Sequence, residues 1–274
     1  MSAPTCRRSG ADAAVSLPAI SRGARCGGDR DPVTPLLAIA DRLSHELAQL
    51  RFRAPVAFVY NPLDYARPAY AAYVERFATS PKEAVFVGMN PGPFGMAQTG
   101  VPFGEVASVR DWLGIRAPIG RPPREHPKRP VAGFDCHRAE VSGQRLWGWA
   151  RRRFGTPEAF FERFFVANYC PLLFLEESGR NLPLDKLASD EQRAIAVHCD
   201  DALRETVRQL APRCVLGIGR FAERRAAVAL AGRGVDVGVI PHPIPASPAA
   251  NRGWEAQAEA AIAGCGVDLG ARVA

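Results

Sequence analysis

The sequence predicts an α/β fold: a three-layer α/β/α sandwich around a four-stranded parallel sheet. Two observations carry that expectation. First, four short apolar runs recur along the chain: Ala84-Val85-Phe86-Val87-Gly88, Phe164-Phe165-Val166-Ala167, Cys214-Val215-Leu216-Gly217-Ile218 and Val237-Gly238-Val239-Ile240. Each is short for a helix and apolar at successive positions, as a strand buried on both faces is. Second, segments with helical spacing separate the runs, and strands alternating with helices build parallel sheets covered on both sides.

Taken in chain order, residues 1–33 mix Ala, Ser, Gly, Arg and Pro without periodicity. They read as a disordered tail ahead of a single domain over 34–274. Arg22, Arg25 and Arg30 raise a mitochondrial address as a competing reading, but the Asp and Gly content of residues 26–32 counts against it. From Pro35 onward Leu36, Ile39, Leu43, Leu47 and Leu50 recur at helical spacing, giving one amphipathic helix to about residue 51. A second, short helix comes after Pro68 and carries Tyr70, Tyr73, Val74 and Phe77. The first apolar run is then stopped by Asn90-Pro91-Gly92-Pro93, a turn. Helical segments over about 189–211 and 221–232 lie between the later runs, and a last helix comes after Trp254.

At 274 residues the chain suits one core rather than two, and 47% hydrophobic content is enough to fill it. No apolar run approaches the roughly 18 residues that a membrane span needs. The formal net charge of +7 favours an anionic partner only weakly, and its placement says more. Arg121, Arg124, Lys128 and Arg129 lie in a proline-rich loop, and Arg151, Arg152 and Arg153 stand at a helix end. These read either as solvated faces or as contacts to nucleic-acid phosphates, whose counterion release makes binding salt-dependent. The seven cysteines form no Cys-x-x-Cys pair, so no metal site, iron–sulfur centre or disulfide framework is expected. Cys170 and Cys214 sit in apolar runs and read as buried thiols in a reducing compartment.

Ligands of such folds sit beyond the carboxyl ends of the strands, so the residues after each run matter most. After the first come Gly88-Met89-Asn90-Pro91-Gly92-Pro93-Phe94-Gly95-Met96; after the second, Asn168-Tyr169-Cys170-Pro171; after the fourth, His242-Pro243-Ile244-Pro245. Two asparagines, Asn90 and Asn168, and one histidine, His242, would converge on one crevice. No Asp, Glu, Ser or Cys is placed as a nucleophile and no Lys for a Schiff base, which disfavours covalent catalysis. Each residue also has a plain structural reading: Asn90 as a turn cap, Asn168 as a strand-end bond, His242 as a satisfied loop histidine. No G-x-G-x-x-G or Walker loop comes after any strand, and Gly217-Ile218-Gly219-Arg220 is only a weak phosphate-loop signal.

The stretch from Gly88 through Met96, Thr99-Gly100-Val101-Pro102 and Phe103-Gly104 closely resembles the single-strand-selective monofunctional uracil-DNA glycosylases. So do Val59-Tyr60-Asn61-Pro62, Glu125-His126-Pro127-Lys128-Arg129-Pro130, Val141-Ser142-Gly143, Cys170 to Leu175 with Ser178 to Leu182, and Asn251 to Trp254. The resemblance runs in order from about residue 56 to 262. It implies the α/β/α sandwich of the uracil-DNA glycosylase superfamily and hydrolysis of an N-glycosidic bond with no strand cleavage and no cofactor. It also implies a monomer acting on uracil in single- and double-stranded DNA. The compartment it implies is intracellular: the nucleoid if the abundant Ala and Arg mark a bacterial genome, the nucleus if the source is eukaryotic.

Residue by residue, the resemblance puts Phe103 under the extruded base and makes Asn168 the reader of its edge. An amide there accepts from uracil N3–H and donates to O4, a pattern that cytosine reverses. Met89, Met96 and Gly92 complete the pocket. Glycine at 92 leaves room for C5 substituents, so 5-hydroxymethyluracil is an expected substrate. Asn90 would orient a water through its carbonyl oxygen, since an amide is no general base, and His242 would donate an N–H to the departing uracil. DNA contacts are expected from Lys128, Arg129, Ile244, Ala246, Ser247 and Asn251. Two departures stand out. The family pattern His-Pro-Ser-Pro is His242-Pro243-Ile244-Pro245 here, which removes a hydroxyl expected to bind phosphate and leaves only the backbone N–H of Ile244, or turns Ile244 into an apolar wedge. Ala246 to Ala250, where a helical wedge is expected, carries small side chains that would favour unpaired uracil over U·A. An impaired or non-catalytic DNA-lesion binder is therefore the competing function, and an unrelated nucleotide-binding enzyme the third.

Overall fold

Thr34 opens the first helix by accepting the Leu37 N–H on its hydroxyl, with Pro35 at the first helical position, where its missing N–H costs nothing. The computed structural model describes residues 34–244 and 251–270. The tail assigned to residues 1–33, and the expected DNA contacts Ala246 and Ser247 within the small-residue segment, lie outside the described residues. Helix α1 (Pro35–Ala48) buries Leu36, Ile39, Leu43 and Leu47, the stripe its spacing predicts, and stops short of the expected end. The helix expected after Pro68 is α3 (Arg67–Phe77), preceded by the single turn α2 (Pro62–Tyr65), whose cap is Asn61.

The four apolar runs are strands β2 (Ala84–Gly88), β3 (Phe164–Asn168), β5 (Cys214–Ile218) and β6 (Asp236–Ile240). They form one sheet in the order β3-β2-β5-β6, and every pairing is parallel. A single buried turn, α4 (Met96–Thr99), comes after β2 and its Pro-Gly loop. Pleating sends Phe86 and Phe164 to one face, where Phe86 meets Trp149 of α5 (Val141–Phe154) and Phe160 of α6 (Pro157–Arg163) at ring distances of 6.2 Å. Trp254, at the start of α9 (Trp254–Gly264), packs edge-on against Trp149 in the same layer. Phe165 points the other way and meets Tyr73 of α3, 5.1 Å between rings. On that face lie α1, α7 (Ser189–Leu210) and α8 (Arg220–Ala229).

Several elements escape the sequence reading. β1 (Phe58–Tyr60) pairs antiparallel with β4 (Leu173–Leu175), Phe58 opposite Leu175, forming a separate two-stranded ribbon. Residues Ser108–Trp112 form a π-helical turn. Gly217, part of the weak phosphate-loop signal, has a packing role instead. A Cβ on it would lie 2.2 Å from the Glu223 backbone nitrogen, so this glycine lets α8 lie close on β5. No helix among the described residues is long and apolar enough to cross a membrane.

Candidate active site

β2, β3 and β6 end on the same side of the sheet, and the loops beyond them enclose a cavity of about 250 Å³. Met89, Asn90, Gly92, Met96, Phe103, Asn168, His242 and Ile244 all line it. The convergence expected from strand ends is thus present in three dimensions. A larger cavity of about 560 Å³ lies among the residues that precede β5 and β6, the other end of the sheet. Its Arg204 is paired with Asp201, and it carries none of the strand-end residues.

Asn90 donates its amide N–H to the Leu172 carbonyl at 3.0 Å, which fixes the amide orientation and leaves Oδ1 as its acceptor. Asn168 holds its Nδ2 3.2 Å from the Met96 sulfur, a weak acceptor that a carbonyl oxygen would displace. Phe103 stands on the unusual side of the backbone map, with φ of 54°; among the described non-glycine residues only Ala211 shares a positive value. Such a conformation costs about 1–3 kcal/mol and persists only where neighbours impose it. Here the Phe103 carbonyl accepts from Trp147 Nε1 at 2.9 Å and from the Glu105 N–H at 2.8 Å. Its ring lies over Gly88, where a Cβ would be 2.6 Å from Cε2 and 2.5 Å from Asn168 Oδ1. Gly88 is therefore the floor on which the Phe103 ring and the Asn168 side chain meet.

His242 accepts the Ile244 N–H on Nδ1 at 3.2 Å. That bond assigns the ring proton to Nε2, the nitrogen left to donate. Burial holds the imidazole below its ordinary value of 6.5, which favours the neutral ring this bond requires. The ring centroid is 6.4 Å from that of Phe103. The expectation that the Ile244 N–H remains for a phosphate is corrected here, because the histidine holds it.

A family model described as the uracil DNA glycosylase superfamily matches residues 76–262. The chain is also 54% identical, over 219 residues, to the single-strand selective monofunctional uracil DNA glycosylase of Mus musculus, spanning 79% of this chain and 78% of that one. It belongs to this glycosylase family. The corresponding Bos taurus protein is 52% identical over 220 residues, spanning 80% of this chain and 81% of that one. The crystal structure of wild-type Pedobacter heparinus SMUG2 superimposes with a TM-score of 0.59 at 16% identity, covering 82% of this chain and 96% of that one. At that identity the likeness speaks for the fold.

In this member of the family the start of α5 forms part of the cavity wall, through Glu140 and Ser142. Glu140 caps the helix by accepting the Ser142 and Gly143 N–H groups. Burial pushes its carboxyl up and the charge of Glu105 adds to that, while the Gly143 and Ser142 bonds oppose the shift. Gly143 must be bare, since a Cβ would sit 2.1 Å from the Phe103 oxygen. Arg145 then reaches across to the histidine loop, donating to the Pro243 carbonyl and to Asn251 Oδ1, each at 3.0 Å. Trp254 Nε1 donates to the Pro241 carbonyl at 2.6 Å, so the carbonyls on both sides of His242 are held. Gly219, at φ 87°, lies against the His242 ring: a Cβ there would be 3.4 Å from His242 Cβ. That is ordinary contact, so what the position requires of glycine is its left-handed backbone.

Lys128 and Arg129 do not line the cavity. Arg129 is anchored by Nε to the Gly179 carbonyl at 2.7 Å, and Lys128 is exposed, its N–H bonded to the buried His126. Asn251 does not line the cavity; its Oδ1 accepts from Arg145. Of the other basic residues, Arg121 pairs with Glu125, Arg152 with Glu255 and Arg153 with Glu259, so these charges hold loop and helix together. Cys170 and Cys214 are buried free thiols. Sequence reasoning missed Glu140, Arg145, Trp147 and Asn181 as site residues. Asn181 lines the cavity with a buried Oδ1 that no hydrogen-bond donor among the described residues reaches. Only Glu140 had a local signal, its place directly before a helix start.

Proposed function

We propose that this protein is a monofunctional uracil-DNA glycosylase that takes an extruded uracil into the cavity and hydrolyses its N-glycosidic bond. The observation that carries this reading is the His242–Ile244 bond, which leaves a neutral imidazole with Nε2–H as donor beside Phe103 and the two asparagines. An N–H placed where charge develops stabilises the departing uracil anion through O2. The C1′–N1 bond breaks with its electron pair going to uracil, and the sugar becomes oxocarbenium-like. Water held on Asn90 Oδ1 then adds to C1′ and releases its proton to solvent. Leu172 matters only as the anchor that turns the amide oxygen outward. Among the described residues no lysine lines the cavity to form a Schiff base, in keeping with base removal without strand cleavage.

Uracil is read by Asn168, whose Nδ2 leaves the Met96 sulfur for O4 while Oδ1 accepts N3–H. At Gly92 a Cβ would meet nothing within 4 Å, so the cavity has space there for a C5 substituent and 5-hydroxymethyluracil belongs among the substrates. Gly92→Phe should lose that substrate first, and equal loss of both bases would mean that Gly92 does not set tolerance at C5. The deciding experiment is single-turnover excision from a uracil-containing single strand with alkali to reveal abasic sites. Parent protein should yield alkali-dependent cleavage, and His242→Ala should fall by roughly 100- to 1000-fold. DNA binding without release of free uracil would favour the second reading, a lesion binder, for which Ile244, 44% exposed at the cavity rim, is the motivating observation.

A further inference from the structure

Phe94 sits between Pro93 and Gly95, two residues of the cavity wall, and is itself partly exposed. Two guanidinium groups border its ring: Arg138 Cζ lies 4.6 Å from the centroid and Arg129 Cζ 5.4 Å. Among the described residues neither arginine has a carboxylate within ion-pair distance, whereas Arg163 and Arg225 elsewhere are matched with Glu83 and Asp200. Two like charges against one ring repel each other, and the ring's quadrupole offsets only part of that. An anion between them would remove the conflict.

We propose that Arg138, Phe94 and Arg129 form a phosphodiester clamp on the lip of the cavity, gripping the single strand beside the extruded nucleotide. The inference rests on the glycosylase reading for what that strand carries. Stacking occupies the face of a guanidinium and leaves its in-plane N–H fork free, and that fork matches two phosphate oxygens. Arg129 is already oriented, because its Nε donates to the Gly179 carbonyl at 2.7 Å and its Nη1 to the Lys128 carbonyl at 3.5 Å, which leaves Nη2 for a phosphate oxygen. Arg138 is exposed and free to close on the strand from the other side. A strand that delivers a base past Gly92 and Gly95 must run its backbone over this lip. Aromatic residues interleaved with basic ones are the usual means of holding single strands without reading sequence.

The test uses the full chain and a short labelled single strand with one uracil, measuring half-saturation of single-turnover excision across a salt series. Arg138→Ala should raise half-saturation about three- to tenfold. It should also make the log–log salt dependence shallower by about 0.7, the slope of one single-strand phosphate contact. Arg138→Lys should recover the slope but not all of the affinity. Phe94→Leu should weaken half-saturation while keeping most of the slope, since both charges remain. Arg233→Ala removes the same charge from the far end of the sheet, ahead of β6, and should leave the slope alone. An unchanged slope and half-saturation in Arg138→Ala, or an equal loss in Arg233→Ala, would overturn the clamp. If the parent excises no uracil, the proposed function falls, and the same slopes read from strand binding still decide the clamp for or against.

Discussion

Gly88→Ala is the sharpest perturbation of the site, because it adds one methyl group at the junction of two functional side chains. The new Cβ would lie 2.6 and 2.7 Å from Phe103 Cε2 and Cζ, and 2.5 Å from Asn168 Oδ1. Carbon atoms in contact prefer roughly 3.5–4.0 Å, so the ring must retreat by about 1 Å. Phe103 cannot follow by a backbone shift, since Trp147 and Glu105 grip its carbonyl and Gly143 lies against it. The ring rotates or lifts instead, and Asn168 is pushed from its place by the same atom. Misplacement of this size costs about 100-fold in rate, while overpacking of one methyl costs about 1–3 kcal/mol of stability. In a domain of this size that is a fall in melting temperature of roughly 2–12 °C. Single-turnover excision at saturating DNA, run beside a thermal melt, separates the two effects. A variant that excises within about threefold of the parent would refute Gly88 as the residue that sets the platform, because a displacement of about 1 Å carries a cost near 100-fold.

The same geometry sets three further outcomes. On the proposed function His242 acts as a neutral ring, and burial lowers its value below 6.5, so excision should be flat above pH 6.5 and decline only as acid protonates the buried ring. The folded state resists that proton while the unfolded chain takes it up near 6.5, so the ring's contribution to stability is complete above 6.5 and is lost on descending through the lowered value. A rate that rose below pH 6.5 would contradict this, and His242→Gln should lose this titration. Arg145→Ala should slow single-turnover excision about tenfold at saturating DNA, by releasing the carbonyl beside the histidine, with partial recovery in Arg145→Lys; a change in affinity alone would assign Arg145 to strand binding. Ile244→Ser should strengthen DNA binding by about tenfold if a phosphate-binding hydroxyl is what this chain lacks, and no gain would point to the isoleucine as a wedge.

The sheet was legible because β2, β3, β5 and β6 are defined by their own composition: each is apolar at successive positions and stopped by turn chemistry. β1 and β4 were not, since three residues carry no period. Their strand character comes only from pairing with each other, Phe58 with Leu175 for the first, a contact no local window contains. The site divides the same way. Asn90, Asn168 and His242 stand just past strands and could be found by asking what strand ends present. Arg145 could not, because its partner Pro243 is 98 residues away and an arginine on a helix has no local mark of a latch. The positive φ of Phe103 was equally hidden: nothing in a Phe-Gly pair demands it, and the Trp147 bond that imposes it comes from α5. Gly219 shows the reverse error, a glycine read as a phosphate loop whose freedom serves a left-handed backbone at the start of α8.

Both outer strands of the sheet have a single neighbour, but they are not equally protected. β3 is wrapped by aromatic helices and buried at Phe164 to Val166, whereas Asp236 is exposed and Val237 to Val239 are half-buried on β6. Asn168 is thus rooted in the part of the sheet that opens last, and His242 follows the part that opens first. Amide hydrogen exchange should strip β6 well before β2 and β3. A lineage can therefore rewrite the loop beyond the histidine with little risk to folding, since the cost of a poor loop stays at the sheet's margin. Ile244 is the kind of change such a layout permits.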